Sequence, residues 1–220
     1  MLSIAILLTP MLLLSNISVP GDFAQTASNV ANSELTYRLI LAIRIVGSMA
    51  ILLLAWAFYA LVRPFAPNLA LFALMWRVFE VALGNMQTVI RFGALENYGN
   101  TADIATRQAM HEMAFGGDAG ALHVAAIFFS VGSVIFFYVL FKSRFLPRAW
   151  SAFCIIASLI VTLFGFAHIL IPEQASSLGI WEWTPALIAE VGTGLWLLIR
   201  GANLDHWRAT IGRAPQDRAS

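Results

Sequence analysis

The sequence predicts an all-α integral membrane protein, a bundle of six transmembrane helices with both termini in the cytoplasm. Of the 220 residues, 60% are hydrophobic and only 11% are charged, whereas soluble domains carry about 25% charged residues. Six apolar runs approach or exceed the length needed to cross roughly 30 Å of hydrocarbon. Glycine or proline stands at most of their boundaries, and Lys and Arg concentrate in alternate connections. Lipid is therefore the expected solvent for most of this chain.

The predicted spans cover most of the chain and leave a short tail. The first span ends at Pro20-Gly21 and the fifth at Pro172. A signal peptide is the alternative interpretation of the first span, but this segment lacks a positive n-region and a small-x-small cleavage site. One transmembrane domain, 1–201, is then followed by a cytoplasmic tail, 202–220. The six spans are 2–19, 37–61, 68–91, 119–141, 149–171 and 183–199.

The distribution of Lys and Arg predicts the orientation. The connection between the second and third spans contains Arg63, and that between the fourth and fifth contains Lys142 and Arg144. The opposite connections are mainly acidic. Because cytoplasmic loops carry the excess of Lys and Arg, both termini are expected in the cytoplasm. The outer side is predicted to carry two short surface helices, one with Asp22 as its N-cap and one over 101–115.

The third span carries charges that lipid does not accept without a large penalty. In the segment ALMWRVFEVALGNMQTVIR, a helix of about 100° per residue places Arg77, Glu80 and Gln87 within about 80° of arc. Gly84 and Arg91 lie on the same polar seam. A central charge costs at least about 2.5–3.5 kcal/mol in the bilayer. The seam is therefore expected to face the bundle interior, where Arg77 can pair with Glu80 one turn away.

Two other spans supply charges at a similar depth. At about 1.5 Å per residue, Arg44 and Glu190 lie roughly 11 Å from the outer boundary, and Glu80 lies about 12 Å from it. We therefore predict a buried polar network of nearly neutral charge. Such a network can fix the helix register, which is the interpretation we favour, or can line a ligand or ion cavity. Its predicted members are Arg44, Arg77, Glu80, Gln87 and Glu190.

Two histidines lie near the outer ends of adjacent spans. His123 is about 6 Å inside the fourth span and His168 about 5 Å inside the fifth. Histidines at matching depth can ligate a haem iron or a metal ion, but interfacial hydrogen bonds explain them more simply. A wider outer-face site that adds His111, Glu112 and Asp118 fits no common zinc spacing. No cofactor is expected, and haem or a metal ion at the first two histidines is the alternative.

Several classes of protein are excluded by the sequence. His111-Glu112 begins like a zinc-protease motif, but Phe115 stands where the second histidine is required. The chain has no G-x-S-x-G, P-loop or dinucleotide-binding motif. Its lone Cys154 can form no intramolecular disulfide. A net charge of +1 without a basic stripe argues against a nucleic-acid partner.

Four segments of the chain carry motifs of one protein family. VPGDFAQTASNVANSELTYRL precedes and enters the second span, MWRVFEVAL lies in the third, and PALIAEVGTGLWLLIRG forms the sixth. FYVLFKSRFLPRAWSAF contains an F-x-S-x-x-L-P-R passage. The matching residues are Arg77, Glu80, Phe141, Ser143, Leu146, Pro147, Arg148, Pro185, Glu190, Trp196 and Gly201. On these motifs the chain resembles the bacterial domain-of-unknown-function 4386 proteins, which implies an inner-membrane protein of about six helices without an assigned activity.

Three hypotheses for function follow. The favoured one is a non-enzymatic, multi-pass protein of the bacterial inner membrane that binds a lipid, a small molecule or a partner through its polar interhelical core. The second is a small transporter or channel with an outer-half cavity around Arg44, Glu80 and Glu190, although no inverted repeat is visible. The third is an intramembrane haem or metal protein that uses His123 and His168. The bilayer is the expected partner, and a homodimer is compatible with six short spans.

Overall fold

Helices account for nearly all of the described chain in the computed structural model of the protein. The structure describes Leu14 and residues 17–19, 22–98, 104–116, 118–177 and 179–201. Within these ranges there is no β-strand. The prediction of an all-α fold is therefore confirmed.

The described ranges contain eight α-helices and two other helical turns. A π-helical turn, Glu112–Gly116, follows α4, and a 3₁₀ turn, Gly179–Glu182, precedes α8. The helices are α1 Phe23–Asn32, α2 Glu34–Val62, α3 Pro67–Tyr98, α4 Ile104–His111, α5 Asp118–Ser143, α6 Arg148–Leu170, α7 Pro172–Ser176 and α8 Thr184–Arg200.

Four of the described helices are long and apolar enough to cross a membrane. They are α2, α3, α5 and α6, and they correspond to the second to fifth predicted spans. The first predicted span, 2–19, lies mainly outside the described residues. The sixth corresponds to α8, whose 17 residues are fewer than the roughly 20 of a typical spanning helix. The described chain thus has four clear spanning candidates, and the predicted count of six is not reproduced.

Capping groups and prolines define the helix ends. Asp22 caps α1 as predicted, because its side chain accepts a hydrogen bond from the backbone N–H of Gln25 at 2.9 Å. Pro67 and Pro172 each begin a helix, where a missing N–H breaks no hydrogen bond. Gly201 ends α8 with a φ of +68°, a left-handed conformation that glycine adopts without strain.

Contacts divide the chain into two units, and the first comprises 1–52 and 81–122. In this unit, Asn29 Nδ2 donates to the carbonyl of Ile17 at 3.0 Å, which holds the chain before α1 against that helix. The apolar core joins the segment before α1, α1 itself, the start of α2 and the end of α3. It consists of Leu14, Ile17, Val30, Tyr37, Ile40, Leu41 and Leu95.

The second unit comprises 53–80 and 123–220. Its larger core combines parts of α2, α3, α5, α6 and α8 with the α5–α6 connection. In each of the four long helices we compare one apolar stretch of 18 residues. In α5, 56% of that stretch is buried, against 22–28% in the other three, so α5 is the most enclosed of the four. The buried residues of this core are Val62, Ala70, Ala73, Phe136, Phe137, Val139, Leu140, Phe145, Leu146, Cys154, Ala157 and Ala189.

The two faces of α6 show how the fold suits lipid. A helix of a soluble protein carries polar side chains on its exposed face. In α6 the buried face is formed by small residues such as Cys154 and Ala157, yet the opposite face is also apolar. Leu163 on that face is 69% exposed. The exposed stripe consists of Ile156, Leu159, Leu163, Phe166 and Leu170, which hydrocarbon covers without penalty.

Candidate functional site

Arg77 and Glu80 form an ion pair in the second unit. Nη1 of Arg77 lies 3.1 Å from Oε2 of Glu80, one turn further along α3, and the two side chains are only 7% and 14% exposed. The guanidinium also lies over the ring of Phe129, 4.5 Å from its centroid. The cation is therefore held between a carboxylate and an aromatic face.

Glu190 on α8 adds a second carboxylate to this pair. It interacts electrostatically with both Arg77 and Glu80. Within the second unit, the described residues form no hydrogen bond or ion pair with the Glu190 carboxylate, and the residue is exposed. We call Arg77, Glu80 and Glu190 the central polar group. With one base against two acids, its formal charge is −1 when both carboxylates are ionised.

The other two predicted network members, Arg44 and Gln87, lie in the first unit. Nε of Arg44 donates to Oγ1 of Thr88 at 3.3 Å, which joins α2 to α3. Gln87 is buried, and its Oε1 accepts no hydrogen bond from the part of the chain that the structure describes. A second link between α2 and α3 was not predicted from the sequence: Ser48 donates to Oδ1 of Asn85 at 2.7 Å. Membership of Arg44 and Gln87 in one network with the central polar group stays a prediction.

Arg91, at the end of the polar seam, has a different partner. Its side chain is almost completely buried in the first unit. Its Nε donates to the carbonyl of Ala114 at 3.1 Å. Because Ala114 lies in the π-helical turn, this hydrogen bond fixes that turn to α3.

His123 and His168 are in contact in the second unit. Their ring centroids lie 3.6 Å apart and their planes differ by 23°, so the imidazoles are stacked. Glu182, the last residue of the 3₁₀ turn, joins them. Its Oε2 lies 2.7 Å from Nε2 of His168, and its Oε1 lies 3.5 Å from Nε2 of His123. We call His123, His168 and Glu182 the histidine cluster.

A close approach of α5 and α6 brings the two histidines together. A Cβ atom at Gly165 would lie 2.5 Å from Cγ1 of Ile127 and 3.2 Å from the carbonyl oxygen of His123. Glycine permits this approach because it has no Cβ. Gly165 lies about one turn before His168, so the contact sets the distance between the stacked rings. The crevice beside the cluster is otherwise lined by apolar side chains and glycine, namely Ala126, Val161, Phe164, Gly165 and Trp183.

Glu182 is not among the residues predicted from the sequence. It lies between Trp181 and Trp183, in one of the mainly acidic connections. The available signal was that Glu182 lies at the outer boundary of the sixth predicted span, on the same side of the membrane as the two histidines, which lie near the outer ends of the fourth and fifth spans. Of the wider outer-face set, Glu112 accepts a hydrogen bond from Gln108 at 3.2 Å. The side chains of His111 and Asp118 lie outside the described residues.

The fold and these polar groups define a class of protein: an all-α chain whose long apolar helices carry a few charged side chains in contact with one another. Residues 1–201 match the family described as Domain of unknown function (DUF4386), and the chain belongs to that family. The resemblance identified from the motifs is thereby confirmed. No curated protein and no solved structure matches the chain.

Proposed function

We propose that this protein is a multi-pass protein of the bacterial inner membrane that binds an ammonium-bearing lipid or small molecule at the central polar group. In this proposal α8 and the segment 2–19 complete six spans, and both termini lie in the cytoplasm. The arrangement is supported by the excess of Lys and Arg in alternate connections. It is also supported by the exposed apolar faces of the long helices.

The observation that carries the ligand proposal is the Glu190 carboxylate. It lies within a helix of a membrane-type bundle, and its own unit offers it no hydrogen bond or ion pair among the described residues. An ionised side chain in that position costs at least about 2.5–3.5 kcal/mol in the bilayer. Arg77 attracts Glu190 but is already paired with Glu80, so it offsets only part of this penalty. A bound cation would therefore offset both the penalty at Glu190 and the net charge of the group.

The chemistry of the group favours an ammonium as that cation. An ammonium group carries three N–H donors and no acceptor, and carboxylates form their strongest hydrogen bonds with charged donors. Phosphatidylethanolamine supplies such a headgroup, and small amines supply the same chemistry. Transport through a cavity around Arg44, Glu80 and Glu190 stays a prediction.

The test compares Glu190→Gln with Glu34→Gln. Glu34 pairs with Arg38 in an exposed pair, 53% and 46% accessible, so it offers the same chemical change at the surface. Native mass spectrometry would measure retention of phosphatidylethanolamine and of phosphatidylglycerol with the same acyl chains. We expect the wild type and the Glu34 variant to retain phosphatidylethanolamine in preference, and the Glu190 variant to lose that preference.

The outcome is interpretable because Glu190→Gln removes a charge without changing side-chain size. We expect its melting temperature in detergent to be no lower than that of the wild type without ligand. Retention of phosphatidylethanolamine by a folded Glu190→Gln variant at the wild-type level would contradict the proposal, as would equal retention of the two lipids by the wild type.

A further inference from the structure

We infer that the histidine cluster is a binding site for a single divalent transition-metal ion, Zn²⁺ first among them, with His123, His168 and Glu182 as its protein ligands. The site is distinct from the central polar group and does not depend on the ligand proposed there. It joins the start of α5, the end of α6 and the 3₁₀ turn before α8. One ion would thus tie together three segments of the second unit.

The donor atoms are already close to the separation that a metal ion requires. One ligand atom from each of the three residues lies within 4.8 Å of the others. A tetrahedral zinc ion with bonds of about 2.0–2.1 Å holds its donors about 3.4 Å apart. The two distances from Glu182 to the histidine nitrogens, 2.7 and 3.5 Å, lie on either side of that value. Because these distances end on the two different oxygens of Glu182 and the imidazole rings are stacked, binding of one ion requires the rings to turn until both Nε2 lone pairs point at it.

Hydrogen bonding alone does not account for this arrangement. The bond between His168 and Glu182 is a good one, but 3.5 Å from His123 to Glu182 exceeds the usual range of roughly 2.7–3.2 Å. In the part of the chain that the structure describes, neither ring nitrogen of His123 forms a hydrogen bond. Yet its Nε2 faces the same carboxylate as Nε2 of His168. A shared cation explains why both nitrogens and the carboxylate converge.

The donor set selects the class of ion. Two imidazoles and one carboxylate are the protein ligands of many catalytic zinc sites and of non-haem Fe²⁺ sites, whereas Mg²⁺ and Ca²⁺ prefer oxygen ligands throughout. Two axial histidines of a haem approach the iron from opposite faces of the porphyrin. Stacked rings 3.6 Å apart leave no space for a porphyrin between them. Three protein ligands also leave a coordination position for water or a small anion.

The experiment measures metal binding in the full-length protein, purified in detergent through a tag that contains no histidine. After treatment with a chelator, the protein is titrated with Zn²⁺ in competition with a fluorescent chelator, and with Co²⁺ while the visible d–d absorption is recorded. The variants are His168→Ala and Glu182→Gln, since Gln keeps a hydrogen-bonding side chain of the same size but loses the negative charge. His206→Ala, in the tail, and Glu34→Gln are the matched controls.

We expect one equivalent of Zn²⁺ per chain in the wild type and in both controls. Loss of an outer-shell partner of a metal ligand typically lowers affinity by about 10–100-fold, so loss of a ligand should lower it by at least tenfold. The Co²⁺ spectrum should change in both cluster variants, and Zn²⁺ should raise the melting temperature of the wild type but not of Glu182→Gln. Wild-type protein without stoichiometric binding of Zn²⁺, Co²⁺ or Fe²⁺ would overturn the inference. So would cluster variants that bind as tightly as the controls.

Discussion

Arg77 shows how a single cation is held on a largely apolar helix. Glu80 forms an ion pair with it at 3.1 Å, and the ring of Phe129 covers the flat face of its guanidinium. A Cβ atom at Gly132 would lie 3.3 Å from Cδ of Arg77, so α5 approaches this side chain closely. Packing and pairing therefore act together, and the guanidinium has little freedom to find another partner.

Glu80→Gln is expected to destabilise the protein because it leaves the buried Arg77 without its paired anion. Breaking a buried ion pair from one side costs about 3–5 kcal/mol. The control, Glu34→Gln, breaks an exposed pair with Arg38 and should change stability by at most about 1 kcal/mol. Melting temperatures in detergent would distinguish them. Similar shifts in the two variants would show that the pairing of Arg77 with Glu80 contributes little.

The sequence predicted part of this chemistry at the scale of residues. The pairing of Arg77 with Glu80 follows from their spacing on one helix. His123 and His168 were placed at one depth, but depth does not define the direction in which a side chain points. Glu182 could not be found from helical periodicity, because it lies in the 3₁₀ turn that follows α7 and not in a long helix. Asn85 lies off the polar seam of α3, yet Ser48 of α2 donates a hydrogen bond to it.

Where proline or glycine marks a boundary, the helix end lies within two residues of the end of the predicted span. The fifth and sixth predicted spans, 149–171 and 183–199, differ by one residue at each end from α6 and α8. The third predicted span ends at Arg91, whereas α3 continues to Tyr98. Apolarity falls after Arg91, but α3 continues through Gly93 and ends just before Gly99. Hydrophobicity therefore locates the part of a helix that suits lipid and not the residue at which the helix ends.

Gly192 is a point of close contact between α6 and α8. A Cβ atom at this position would collide with the six-membered ring of Trp150. That indole is fixed by a hydrogen bond from its Nε1 to Oγ1 of Thr193 at 3.0 Å. We expect Gly192→Ala to destabilise the protein by about 1–3 kcal/mol, as overpacking does elsewhere. The measurement is the melting temperature in detergent.

The matched control is Gly194→Ala, two residues further along α8. A Cβ atom there would meet nothing within 4 Å. Alanine is favoured over glycine in a helix by about 1 kcal/mol, so this variant should melt at or above the wild-type temperature. A Gly192 variant as stable as the Gly194 variant would show that Trp150 moves aside without penalty.

At the scale of the whole molecule, the proposed orientation predicts which turns face the cytoplasm. Arg63, after α2, should lie inside, and Gln174, in α7, should lie outside; both are exposed. The single native thiol, Cys154, is buried and is removed in a Cys154→Ala background. In intact cells, a membrane-impermeant maleimide should label Gln174→Cys strongly and Arg63→Cys only after permeabilisation. The opposite pattern of labelling would reverse the proposed topology.

The short α8 has a consequence for the bilayer itself. As a proposed span, its 17 residues extend only about 26 Å, roughly 4 Å less than an average hydrocarbon layer. A membrane accommodates a short helix by thinning around it, at a fraction of a kcal/mol per ångström. Lipids with short acyl chains should therefore gather beside α8. The composition of the lipids around the protein, and therefore of the lipids that reach Glu190, would then depend on membrane thickness.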